Sequence, residues 1–286
     1  MTIVNSIVQQ MLTCVEIGQE YLLSKLDNGL WLMFHHLAHG PSLAWTTASV
    51  GSSLAEFNAV PHEVIKAILS LRHEDGGWSY NPSVPSDADT TLRVMQFLRK
   101  IGFTDQNIIT AAETFVLLHQ QPDGGFTTYR PEIVKAMGYS LCDGWCASQP
   151  CVTALAVNQL SDAMAVRRAK AFLQHSGSQA YWWRGPFYVL YEMGRGTNIS
   201  PTDDPVELAL ALLLKSKLGI YDPLLIQRLI SLQHADGSMP TSYLFQIPRP
   251  HQMLDDLDGN EETVGDGGIF SLCATLVAVE RQRHFA

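Results

Sequence analysis

One Gly-containing turn recurs along the chain and limits what it can fold into. Asp27-Asn-Gly-Leu-Trp31, Asp75-Gly-Gly-Trp78, Asp123-Gly-Gly-Phe126 and Asp236-Gly-Ser-Met239 are copies of it, and the first three begin 48 residues apart. Between positions 123 and 236 there is room for one more copy, and Gln174-His-Ser-Gly177-Ser-Gln-Ala-Tyr-Trp182 reads as a degenerate one. Asp266-Gly-Gly-Ile-Phe270 reads as a partial copy. Self-similarity at a fixed period marks a repeat architecture. Apolar residues at helical spacing precede the turns, as in Val64, Ile65, Ala67, Ile68 and Leu71, and the turn glycines stop those helices with positive φ. Second helices follow, most clearly at 90–101, 150–160, 183–194 and 204–214. The unit is helix, turn, helix, and five or six units form either an open solenoid or a closed barrel of inner and outer helices. Closure is preferred, because shorter solenoid repeats lack an aromatic after the turn. The expected fold is all-α, a single α/α (toroid) barrel occupying residues 1–286 as one domain.

These turns resemble the Gln-x-x-x-Gly-x-Trp (QW) repeats of squalene-hopene and oxidosqualene cyclases. Gln120-Gln-Pro-Asp-Gly-Gly-Phe126 keeps the Gln and Gly, Gln233-His-Ala-Asp-Gly-Ser-Met239 ends in Met, and Arg72-His-Glu-Asp-Gly-Gly-Trp78 begins with Arg. Protein prenyltransferase β subunits carry such turns too, so alone they point to a fold rather than a reaction. A sharper signal follows the second turn, in Asp87-Ala-Asp89-Thr90-Thr91. It is similar to the Asp-x-Asp-Asp-Thr motif of class II terpene cyclases, with Thr90 in place of the third Asp. That resemblance implies protonation-initiated cyclisation of a linear isoprenoid or prenylated small molecule, with Asp89 as general acid and Asp87 as its partner. The whole chain resembles small bacterial proteins of the prenyltransferase/squalene-oxidase repeat type. Most characterised class II cyclases contain two such barrels or more, and this chain has room for one. A non-catalytic barrel binding a lipid or protein, or a protein prenyltransferase-like subunit, are the alternatives.

Protonating an alkene needs a carboxyl kept as COOH, which burial and a neighbouring carboxylate both favour. Asp89-Thr90-Thr91 also has the residue types of a helix N-cap, so capping alone stands beside the acid role. A carbocation is stabilised by aromatic faces, a cation–π attraction of about 2 kcal/mol or more when desolvated. The candidate binding residues are Trp45, Trp78, Tyr80, Asn81, Thr90, Phe126, Trp145, Trp182, Trp183, Phe187 and Tyr188. Each of these aromatics also has an ordinary packing explanation. Trp183, Phe187 and Tyr191 would share one face of a continuous helix, with Trp182 and Trp183 at the cavity mouth.

A net charge of −9 with no basic stripe argues against nucleic acid. With 46% hydrophobic and 16% charged residues, the chain has ample material for a core or a cavity. The five cysteines and a start without a charged segment and apolar stretch suggest reduced thiols in the cytoplasm. The most apolar segment, 206–214, is shorter than the ~20 residues that span a bilayer, so membrane contact could only be peripheral. Cys142, Cys146 and Cys151 read as free thiols rather than zinc ligands. His35 and His39 would be neighbours on a helix but read as polar rim residues. The acidic run at 255–262 is a solvated loop or, for a diphosphate substrate, a Mg²⁺ site. No obligatory cofactor is expected, the partner is a hydrophobic isoprenoid, and a homodimer stays open.

Overall fold

The computed structural model describes residues 2–36, 40–196 and 198–286. Its helices alternate between two rings. Outer α1 (Thr2–Ser24) leads to inner α2 (Ala44–Ala55), outer α3 (His62–Ser70) to inner α4 (Ala88–Lys100), and outer α5 (Gln106–Leu117), through the short α6 (Pro131–Ala136), to inner α7 (Pro150–Gln159). Outer α8 (Ala163–His175) leads to inner α9 (Phe187–Met193). Inner α10 (Pro205–Lys217) follows directly, then outer α11 (Pro223–Ile230) and inner α12 (Ile269–Arg283). Two antiparallel pairs, β1 (Met33–His36) with β2 (Gly40–Ser42) and β3 (Phe245–Ile247) with β4 (Glu262–Val264), lie in the loops.

Burial separates the two kinds of helix. The outer helices bury one stripe each, such as Ala165, Ala169 and Leu173 on α8 or Leu225, Ile226 and Leu229 on α11. The inner helices are buried almost all round, and on α10 every residue at 205–214 is buried. Neighbouring inner helices pack in the order α2, α4, α7, α9, α10, α12, and α12 returns against α2. The ring is therefore closed, as an α/α barrel.

Each turn is built by the same contacts. Asp75, Asp123 and Asp236 each accept through Oδ1 from the N–H two residues on, at 3.0, 2.9 and 3.0 Å. The glycine after each Asp has positive φ and lies against the next outer helix. A Cβ on Gly124 (φ +94°) would stand 2.6 Å from the Arg168 carbonyl oxygen of α8. A Cβ on Gly237 (φ +86°) would stand 2.4 Å from that of Ile17 on α1, so the last turn docks on the first helix and closes the outer ring. A threonine of the inner helix then receives the turn: Trp31, Trp78 and Phe126 donate their backbone N–H to Oγ1 of Thr47, Thr91 and Thr153 at 3.1, 2.9 and 2.8 Å.

Two local expectations are corrected and a third is refined. The helix expected from residue 183 begins at Phe187, because Trp183 is held in extended backbone by a bridge to Phe245. The 266–270 segment keeps the Asp contact of the turns, Asp266 Oδ1 accepting from Gly268 N at 2.8 Å, but runs straight into α12 instead of joining an outer helix to an inner one. Asp266 also accepts from Ser242 N, Ser271 N and Ser271 Oγ. His35 lies exposed on strand β1 rather than on a helix, while His39 falls outside the described residues.

Candidate active site

The first turns of inner helices α2 and α4, with loop residues around 80, 129–145, 182–183 and 245–250, line a cavity of about 330 Å³. Asp87 and Asp89 open α4 at its wall, and the local sequence explains why. Thr91 Oγ1 donates to the Asp87 carbonyl at 2.7 Å, and Asp87 N donates back to the Trp78 carbonyl at 3.0 Å, fixing the chain between turn and helix. Asp87 is the N-cap, its Oδ1 accepting from Thr90 N at 2.7 Å. Its Oδ2 is buried without a hydrogen-bond partner. Asp89, two residues on, is not a cap. It turns into the cavity, where its Oδ2 accepts from the Trp45 indole N–H at 3.0 Å.

Burial pushes both carboxyls up, Asp87 to about 7, with the neighbouring Asp89 adding to the rise. Asp89 is pushed up to about 6, against the pull of Arg93 and the Trp45 N–H. Arg93, one helical turn beyond Asp89 on α4, is 7% exposed. It donates to Tyr188 Oη at 2.5 Å and to Gln96 at 2.7 Å, and it pairs with Glu192 at 3.2 Å. Its guanidinium lies 5.3 Å from the ring centre of Trp45. The Asp89 carboxyl thus gives up its proton less readily than a solvated one, and the fixed charge of Arg93 lies where it would stabilise the carboxylate.

Aromatic rings make much of the remaining wall. Trp45 and Trp183 lie 6.0 Å apart, and Trp145 and Trp182 lie 5.8 Å apart. Hydrogen bonds fix the edges of two of these indoles. Trp182 donates to Thr128 Oγ1 and Gln149 Oε1, both at 2.8 Å, and Trp145 donates to the Pro248 carbonyl at 2.9 Å. Tyr80 donates its hydroxyl to the Phe34 carbonyl. Of the sequence-predicted residues, Asp87, Asp89, Thr90, Trp45, Tyr80, Trp145, Trp182 and Trp183 line the cavity.

Trp78, Asn81, Phe126, Phe187 and Tyr188 stand outside that lining. Trp78 is wholly buried and donates its indole N–H to the Ile68 carbonyl at 2.7 Å, plugging the end of α3. Phe126 is its counterpart in the next unit and is also fully buried. Asn81 shapes the loop, its Oδ1 accepting from Ser83 N at 2.9 Å. Phe187 is buried in the packing of α9. Tyr188 backs the wall from behind, stacked on Trp183 at 4.6 Å and 13°.

Phe34, Tyr129, Tyr139, Phe245 and Ile247 also line the cavity. Phe34, Tyr139, Phe245 and Ile247 carry no motif that would single them out. Phe34 reaches the wall from a backbone at φ +51°, which no sequence pattern announces for a phenylalanine. At the mouth stand Arg249 and Glu262. The acidic run beside them organises its own loop. Glu261 accepts from Asp258 N and Gly259 N, both at 3.1 Å, and Asp256 accepts from Met253 N at 3.0 Å. Among the described residues no three His, Cys, Asp or Glu side chains converge as metal ligands. The five cysteines are free thiols. No helix among the described residues is long and apolar enough to cross a membrane.

No protein-family model matches the chain. Part of it is similar to drimenyl diphosphate synthase of Streptantibioticus cattleyicolor, 36% identical over 72 residues, or 24% of this chain and 14% of that protein. The enzyme of the same name from Streptomyces showdoensis is 34% identical over 90 residues, 30% of this chain and 17% of its own length. The matched segments therefore span less than a fifth of those relatives. The whole fold is that of type II terpene cyclase MstE from Scytonema, with a TM-score of 0.83 at 20% identity, covering 98% of this chain and 99% of that one. A variant of MstE solved in complex with geranylgeranyl dihydroxybenzoate superposes with a TM-score of 0.84 at 18% identity, covering 99% of each chain. A protein from Actinoplanes has a TM-score of 0.82 at 20% identity, covering 95% and 99% of the two chains.

Proposed function

We propose that this chain is a class II terpene or meroterpenoid cyclase, a barrel that starts cyclisation by protonating an alkene of a linear isoprenoid or prenylated small molecule. The observation that carries the reading is Asp89, a carboxyl raised by burial and turned into a cavity walled by Trp45, Trp145, Trp182 and Trp183. In the reaction, the π electrons of the terminal alkene take the Asp89 proton, leaving a tertiary carbocation and a carboxylate. The Trp45 N–H and the Arg93 charge hold that carboxylate. The next double bond closes on the cation to form a carbon–carbon bond and move the charge along the chain. Indole faces stabilise it by cation–π attraction, each by about 2 kcal/mol when desolvated. Loss of a proton to solvent or to a wall base ends the sequence, so substrate and product have equal mass.

Asp87 acts through Asp89. Its own raised carboxyl keeps a second proton in the site and caps the helix that aims the acid. The fold shared with the Scytonema cyclase and the partial likeness to the drimenyl diphosphate synthases support the same reading. The mouth combines Arg249 with Glu262, and the chemistry of the barrel's own residues needs no cofactor. Mg²⁺ would enter only with a diphosphate substrate.

The test incubates the purified protein and its Asp89→Asn variant with polyprenyl diphosphates and prenylated arenes, followed by mass spectrometry. A cyclised isomer of unchanged mass, made by the wild type and missing with the variant, is expected. No cyclised product across the panel, or equal product from Asp89→Asn, would sink the reading.

A further inference from the structure

Beyond the wall of the first cavity the barrel contains a second one, of about 470 Å³, toward the C-terminal ends of the inner helices. The two are separated by rings. Phe270, in the first turn of α12, lines the second cavity, and its ring centre lies 5.3 Å from Trp45 and 5.1 Å from Trp183, which line the first. We infer that Phe270 sets the length of isoprenoid tail the site accepts, by packing behind Trp45 and Trp183, the rings that close the first cavity toward the second. This rests on the cyclase reading above and names the part of the substrate that Phe270 selects.

The geometry leaves one direction in which a longer tail can grow. The polar head of the substrate belongs at the mouth, beside Arg249 and Glu262, and the first turns of α2 and α4, with the loops that carry Tyr80, Tyr129, Trp145 and Trp182, wall the sides. A cavity of about 330 Å³ is at the small end of the range for small-molecule sites, roughly 300–1,000 Å³. Additional isoprene units must therefore press on the inner end, and there the wall differs from place to place. Trp45 is tethered through its indole N–H to Asp89, and Trp183 is stacked on Tyr188, which Arg93 holds in turn. Phe270 has only ring contacts and no polar group to tether it, so it is the removable part of the partition.

What lies behind Phe270 suits a hydrocarbon. Cys273, Ala274 and Val277 follow it at i+3, i+4 and i+7 on α12, and all three line the second cavity with Leu210 and Leu213 of α10. Polar side chains, among them Ser49, Ser52 and Ser53 of α2, make much of the rest of that lining, and its charged groups are held by partners, Lys217 by the Tyr191 carbonyl and His284 by Glu280. Arg93 pairs with Glu192, while Lys100 and Arg281 share Glu56 at the helix C-terminal ends, where cations are favoured. Truncating Phe270 would take away what Trp45 and Trp183 rest on and let them give way toward the apolar strip, while leaving the acid in place.

The test measures binding rather than turnover, in the Asp89→Asn background, by quenching of tryptophan fluorescence. The probes are prenylated dihydroxybenzoates with tails from geranyl to hexaprenyl. Affinity in the Phe270-containing protein should rise with tail length and then fall. With Phe270→Ala the best tail should be at least one isoprene unit longer, and the first over-long tail should bind about tenfold more tightly. Adding Ala274→Leu to Phe270→Ala should take that gain away, since it fills the strip behind the ring. Phe270→Leu, a milder truncation, carries the test if circular dichroism finds Phe270→Ala unfolded, and its shift should be smaller but in the same direction. An unchanged length optimum in the folded variant overturns the inference while leaving cyclisation by the wild type intact. Failure of the cyclase reading looks different: the wild type cyclises no tail, yet the length ranking can still be read. Absence of binding by every tail overturns both.

Discussion

Two carboxyls two residues apart are held differently, because one hydrogen-bond pattern separates them. Asp87 gives Oδ1 to Thr90 N and so is bound into the helix start, while Asp89 meets only an indole N–H and faces the cavity. Removing the acid by Asp89→Asn keeps the shape and the Trp45 contact but leaves no transferable proton. Cyclisation should fall by at least the ~10²–10⁴-fold typical of a general acid, with the circular dichroism spectrum unchanged. In the proposed reaction the active form is protonated, and the raised value of about 6 puts the loss of rate on the alkaline side. The rate should be level at low pH and decline as pH rises through about 6, which a pH–rate profile with a non-titrating substrate measures. Arg93 pulls Asp89 downward, so Arg93→Met should move that alkaline limb to higher pH and lower the plateau, since the carboxylate left by proton transfer loses its nearby cation. Arg93→Lys should restore part of both. An Arg93→Met enzyme with an unmoved limb would show that the guanidinium serves packing alone. The motif Asp87-Ala-Asp89-Thr90-Thr91 and its resemblance made Asp89 the candidate acid and Asp87 its partner in the sequence, but which of the two caps α4 was not legible. An N-cap and an acid use the same residue types, and only the direction of each side chain separates them.

At the scale of the repeated element, the turn is a device for bringing an outer helix, an inner helix and the next outer helix into contact. Its middle glycine is required twice over, by positive φ and by the backbone beside it. Gly124→Ala would meet both costs, whereas Gly138 (φ +95°) has nothing within 4 Å and its alanine meets only the first. The expected destabilisation is about 1 kcal/mol for Gly138→Ala and about 2–4 kcal/mol for Gly124→Ala, measured by urea unfolding. Equal losses would mean that the turn does not seat on α8. The repeat itself was plain from the 48-residue spacing, but the turn aromatics were misjudged as wall candidates. Trp78 and Phe126 look like a cyclase's aromatics in sequence, yet they follow the glycines directly and are drawn down between the helices, where a Thr hydroxyl holds each backbone. The helix expected from Trp183 failed for a related reason. A tertiary bridge to Phe245, 62 positions later, outweighs local helix preference and leaves Trp183 free to face the cavity.

At the scale of the molecule, the inner ring gathers buried and half-buried carboxyls at its helix starts, Asp87 and Asp89 on α4, Asp204 on α10 and Asp266 on α12, all raised by burial, and that has a consequence for stability. Both Asp87 and Asp89 bind protons more tightly folded than unfolded. Their contribution is therefore full below the unfolded value, near 4, and is lost as pH rises through about 6 to 7. The barrel should melt at a higher temperature at pH 5 than at pH 8. Asp87→Asn, neutral at both, should flatten that slope, on the order of a few kcal/mol across the range. A melting temperature independent of pH in the wild type would argue that neither carboxyl is held neutral.

Patterns carried along the chain determined the helical repeat, its turns and the acid motif, because periodicity, glycine φ and capping are local and leave their mark in neighbouring residues. Closure of the ring, the cavity and its wall belong to the tertiary structure. Closure depends on Gly237 meeting α1, and the wall takes Phe34, Tyr139, Trp183 and Phe245 from four separate segments. Contacts between residues far apart in sequence fix these features, and no spacing along the chain records where two distant segments will meet.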